Sequence, residues 1–140
     1  RILVMKLILK IIIILFSFIK LSFSLETNWI KITKGENGHT FFIDENSLIE
    51  EGGHIYFWEL INYNNPDEFG DLSAKIYIKG DCKNFRFRWH KLSYHKKTMA
   101  QDEQELKDPS YLVSDWQYPS QSSASKTVLD HACNIKGVFL

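Results

Sequence analysis

The chain has 140 residues, 17 basic and 17 acidic, with a formal net charge of zero. That length suits one domain with a modest core, and the balanced charge lacks the basic surplus of a nucleic-acid-binding surface. Four Trp, six Tyr and ten Phe suit a small β-rich core, where bulky rings pack on pleated surfaces.

The first segment, Arg1 to Ser24, carries Arg1, Lys6, Lys10 and Lys20 and no acidic residue. Between Lys10 and Lys20 runs an apolar stretch of nine residues, Ile11 to Ile19. A basic start, a short apolar run and small residues at Ser22 and Ser24 make the pattern of a secretory signal peptide cut before Leu25. The alternative is an uncleaved anchor, but a spanning helix needs about 20 mostly apolar residues. No Cys stands at the cut, so a lipoprotein signal is not expected. The expected organisation is a signal peptide over 1–24 and a single domain over 25–140. Beyond Ser24 remain 13 basic and 17 acidic residues, a net charge of about −4, ordinary for a soluble secreted domain.

Trp29 to Ile32 alternates and predicts a short strand. Lys34 to Gly38 predicts a turn, and His39 to Ile43 a second strand, so the two read as a hairpin. Asp44 to Ser47 predicts another turn, and Glu50 to Gly53 a further break. His54 to Tyr63 is a long β-type run. Ile55, Phe57, Ile61 and Tyr63 share one face, and Tyr56, Trp58 and Leu60 the other, as expected of a central strand covered on both sides. Glu59 falls on the first face and needs a partner there. Asn64 to Asp71 is a polar loop.

Leu72 to Lys79 and Phe85 to Leu92 form the clearest alternating pair. Ala74, Ile76 and Ile78 oppose Lys75, Tyr77 and Lys79; Phe85, Phe87 and Trp89 oppose Arg86, Arg88 and His90. Ser93 to Ser110 reads as a solvated loop, Tyr111 to Trp116 as a possible short strand. From Ser120 the pattern turns helical, with Val128, Leu129, Ala132 and Cys133 on one stripe. An even pair of cysteines in an exported chain predicts a disulfide, Cys82 to Cys133, that would pin this helix to the sheet. Free thiols and an intermolecular bridge are the alternatives. The fold class is therefore α+β: mainly an antiparallel sheet of five to six strands with a C-terminal helix packed on it.

No HExxH, P-loop, GxSxG or GxGxxG motif is present. The five histidines are scattered, and neither Cys has metal-ligand spacing, so no metal, cofactor or enzymatic activity is expected. The surface feature with chemical content is the polar face of the paired strands, Lys75, Tyr77, Lys79, Arg86, Arg88 and His90. Like charges across strands repel. Glu59, the C-terminal helix or an anionic ligand should offset them. This is the candidate binding face for an acidic partner such as a glycan, a lipid headgroup or an acidic protein segment. The plainer reading is a solvated or internally paired face.

The order of these features resembles a known family. A Trp-x-x-Ile strand (Trp29, Ile32) precedes Phe42-Ile43-Asp44, an aromatic strand with Trp58, and Asp81-Cys82 before an aromatic and basic strand. Trp116 and Pro119 then precede a helix ending in Cys133. Over Trp29 to Cys133 the chain resembles the surface-adhesin protein E family of Gram-negative bacteria. The resemblance implies an antiparallel sheet with a C-terminal helix tied by one disulfide. It also implies kinship with a lipid-anchored adhesin that binds host matrix proteins such as vitronectin and laminin. This sequence departs from that adhesin in lacking the lipobox Cys. The expectation is an exported, non-enzymatic binding protein of the envelope, periplasmic or secreted. Its partner would be an envelope or extracellular protein or another acidic molecule. No nucleic acid is expected, and membrane contact only through an uncleaved signal segment. The alternative is a structural or accessory periplasmic protein without a small-molecule ligand.

Overall fold

A computed structural model describes residues 1–17 and 27–135. Helix α1 spans Ile2–Ser17, and most of its apolar side chains are exposed. Among the described residues no helix is long and apolar enough to cross a membrane. The expected cut between Ser24 and Leu25 lies outside the described residues.

The domain is built on one antiparallel sheet whose strands follow chain order: β1 Trp29–Lys34, β2 Thr40–Glu51, β3 His54–Asn62, β4 Ser73–Asp81 and β5 Arg86–His95. Each strand pairs with the next, so turns or a loop between neighbours suffice and no crossover is needed. Helix α3, Ala124–Ile135, lies across one face. Its stripe of Val128, Leu129, Ala132 and Cys133 packs on Phe41, Ile43, Ile55, Phe57, Ala74, Ile76, Ile78 and Leu92. The alternation in β3 and β4 sends these side chains to one side and Tyr56, Trp58, Lys75, Tyr77 and Lys79 to the other. At Gly80 the helix comes close: an added Cβ would stand 2.8 Å from Ile55 and 3.1 Å from Leu129. The disulfide joins Cys82, in the β4–β5 turn, to Cys133 near the helix end, with Cα atoms 5.8 Å apart.

Three local expectations are corrected. Asp44 to Ser47 does not turn the chain; β2 continues through it with a register shift between Asp44 and Ile49. The polar side chains satisfy the irregular backbone: Asp44 Oδ1 accepts the N–H groups of Asn28 and Asn46, and Ser47 Oγ accepts that of Trp58 at 2.9 Å. Strand β5 runs three residues beyond Leu92, to His95, because Ser93 and His95 find polar partners beneath a loop. Tyr111–Ser114 is a short helix, α2, and not a strand. The strand-like contact comes later: Gln117 and Phe87 exchange backbone hydrogen bonds of 2.8 and 3.0 Å. Lys107 and Leu92 do the same at 2.7 and 3.0 Å. These two bridges cover the outer edge of β5.

Candidate functional site

The face away from α3 gathers the residues that the alternation assigned to it. Across β3 and β4, Tyr56 faces Lys79, Trp58 faces Tyr77, and Leu60 faces Lys75. Across β4 and β5, Lys79 faces Arg88 and Asp81 faces Arg86. A bulge opposite Tyr77 and Ile78 makes His90 the extra residue of β5. A bulge re-aims the side chain it frees. His90 is exposed and sets its ring edge-on to both Tyr56 and Tyr77, with centroids 6.3 and 6.2 Å away.

Lys79 directly opposite Arg88 is a repulsive pair. Neither Glu59 nor the C-terminal helix offsets it, since both lie on the opposite side of the sheet. Aromatic rings do so in part. Trp116, delivered by the chain that returns along β5, lies 4.4 Å from the Arg86 guanidinium, 5.0 Å from that of Arg88 and 5.9 Å from Lys79 Nζ. His54 stacks on the same indole at 5.6 Å. Lys79 also lies 5.6 Å from the Tyr56 ring, and Lys75 4.4 Å from Trp58. Cation–π contacts of this kind are worth about 0.5–2 kcal/mol each.

The two arginines differ. Arg86 Nε donates to Asp81 Oδ2 at 2.8 Å. Burial alone would raise the Asp81 carboxyl, but hydrogen bonds from Asn84 and Arg86 outweigh it and hold the group at about 2. Arg86 is therefore a neutralised, fixed cation. Arg88 has no acidic partner among the described residues, and its buried Nε is the one buried side-chain nitrogen or oxygen among them without a hydrogen-bond partner. Lys75 is half-buried; burial lowers its pKa and Asp44 partly restores it.

Beside this cationic row lies an open depression of about 600 Å³, bounded by Lys75, Ser93, His95, Ala100, Asp102 and Leu106. Its floor is a chain that no sequence motif marked. Ser93 Oγ lies 2.8 Å from His95 Nε2, and His95 Nδ1 lies 2.8 Å from the Asp102 carbonyl and 3.3 Å from its carboxylate. Ser93 and His95 are only 2% and 4% exposed. The Asp102 carboxylate also accepts from Lys96, Lys97 and Gln104. Ser73 and Asn62 tie down the adjoining Thr98–Ala100 turn, where Met99 and Ala100 have positive φ. The network is a strut that pins the 96–106 loop over one end of the face. Among the described residues no group of three or more His, Cys, Asp or Glu could hold a metal.

The sequence expectations for Lys75, Tyr77, Lys79, Arg86, Arg88 and His90 thus meet on one face. Trp116, Asp81 and His54 were missed as members of it. Asp81 stands two residues beyond Lys79 and so shares its face by alternation; that signal was available. Trp116 reaches the face through a loop, and no periodicity could place it.

No curated protein gives a significant sequence match to the chain. The crystal form II structure of Haemophilus influenzae protein E matches with a TM-score of 0.59 at 15% identity, over 80% of this chain and 91% of that one. At that identity the likeness speaks for the fold. The sequence model described as surface-adhesin protein E matches residues 29–134, which is the whole sheet, the basic face and nearly all of α3. The chain belongs to the surface-adhesin protein E family.

Proposed function

We propose that the chain is an exported, non-enzymatic binding protein of the bacterial envelope that holds an acidic partner on the polar face of β3–β5. Residues 1–24 act as its export leader, and 25–140 form the binding domain. The observation that carries the reading is Arg88: a guanidinium with a buried, unpartnered Nε, opposite Lys79, on a face whose other strong cation, Arg86, already has its carboxylate. An unpaired buried donor costs about 1–3 kcal/mol. An oxyanion from a partner, met by the accessible part of the half-buried guanidinium, would neutralise the Arg88 charge and relieve the Lys79–Arg88 repulsion. Membership in an adhesin family supports binding as the role.

The test uses the purified chain and three anionic probes: dextran sulfate, poly-L-glutamate and phosphatidylglycerol vesicles. The double variant K79E/R88E should lose at least about tenfold in affinity for one or more of them. Equal binding by variant and wild type to all three would overturn the assignment. Arg86 is left in place because its removal would strand Asp81.

A further inference from the structure

The opposite side of the sheet carries a separate feature. Glu59 points from β3 into the core beneath the first turns of α3. Its cross-strand neighbours are Ile43 on β2 and Ile76 on β4. Phe57, Ile78, Phe87, Ser125, Val128 and Leu129 enclose it around a cavity of about 10 Å³, room for about one water. Among the described residues no charged group from any packed element faces it. On α3, Lys126 pairs with Asp130 at 2.7 Å and His131 with Glu45 at 2.9 Å. On β4, Lys75 and Tyr77 belong to the other face. The helix start is already capped, with Ser123 Oγ accepting the Lys126 N–H. Glu59 is 6% exposed, and burial pushes its carboxyl up to about 8.

A carboxylate formed in this setting has no counter-charge and must reach water. On the helix side the cavity is walled by Ser125, Val128 and Leu129, all in the first half of α3. At the other end α3 cannot leave, because Cys133 is bonded to Cys82. We propose that the N-terminal half of α3 is a proton-controlled flap: ionisation of Glu59 lifts it from the sheet, while the disulfide holds the C-terminal half as a hinge. Opening uncovers Val128, Leu129 and Phe57, an apolar strip that the closed form hides.

The test is amide hydrogen exchange on the full chain at pH 6 and pH 9, expressed as protection factors corrected for intrinsic rates. Protection at residues 127–131 should fall at least about tenfold at pH 9. Protection at 74–79 in β4 should hold and serves as the control for global unfolding. In E59Q the α3 amides should stay equally protected at both pH values. An equal loss in E59Q, or no loss in the wild type, would overturn the proposal. Should E59Q fail to fold, a ¹³C titration of the Glu59 carboxyl in the wild-type chain decides. Titration together with the α3 amides supports the flap, and titration below pH 5 sinks it.

Discussion

Arg86 and Arg88 stand two residues apart on one strand face and play opposite parts. Removing the Arg86 cation leaves the Asp81 carboxylate with Asn84 as its remaining side-chain donor and no counter-charge, so Arg86→Met should lower the urea midpoint. Arg88→Met removes a guanidinium whose Nε is already unsatisfied, so stability should stay within about 1 kcal/mol of wild type while binding falls. Urea denaturation of both variants, read beside the probe assays, checks the contrast. The face itself was legible, because β4 alternates from Lys75 to Asp81 and β5 from Arg86 to Trp89. The difference between the two arginines was not. It depends on Asp81 and Asn84, which come to Arg86 only when the turn closes, and on Trp116, which arrives along a loop.

At the scale of elements, helix α3 and strand β4 are fitted through a missing side chain. Gly80 lets Ile55 and Leu129 meet over the strand. Gly80→Ala should therefore cost about 1–3 kcal/mol by overpacking, measured as a shift in the urea midpoint. The disulfide closes a loop of sequence separation 51. Cys82→Ser/Cys133→Ser should lose about 4 kcal/mol in the chain-entropy account, which the same denaturation experiment would show. The α3 stripe could be read from the sequence, since Val128, Leu129, Ala132 and Cys133 keep helical spacing. The extension of β2 through Asp44 and Ser47 could not. Those residues favour turns by lending polar atoms to the backbone, and here the same atoms serve a bulge.

For the whole molecule, two buried carboxyls shape stability against pH from opposite sides. Asp81 is held near 2 in the fold and lies near 4 when unfolded, so its contribution is present above pH 4 and is lost as pH falls toward 2. Glu59 is pushed up to about 8. Between about pH 4.5 and 8 the unfolded chain releases this proton and the folded chain keeps it, so stability falls as pH rises through that window. The ceiling of this loss is about 5 kcal/mol. Maximal stability is thus expected near pH 4 to 5. Urea midpoints from pH 3 to 9 should trace it, E59Q flattening the alkaline limb and D81N removing only part of the acid one, because hydrogen bonds also hold the Asp102 carboxyl at about 2. The sequence showed that Glu59 sat among apolar neighbours and asked for a partner. The fold answers with a retained proton, an outcome that alternation alone does not specify.

The β4–β5 turn has a consequence for how the chain matures. Within six residues it holds Asp81, Cys82 and Arg86: one half of the covalent tether and both members of the ion pair that orients the basic face. Before oxidation the turn lacks its anchor to α3, and Arg86 is aimed by the carboxylate alone. A newly made chain should therefore present a loosely ordered face, which sharpens only after an oxidant has joined Cys82 to Cys133. The binding competence proposed for this face would then be acquired only once the disulfide has formed.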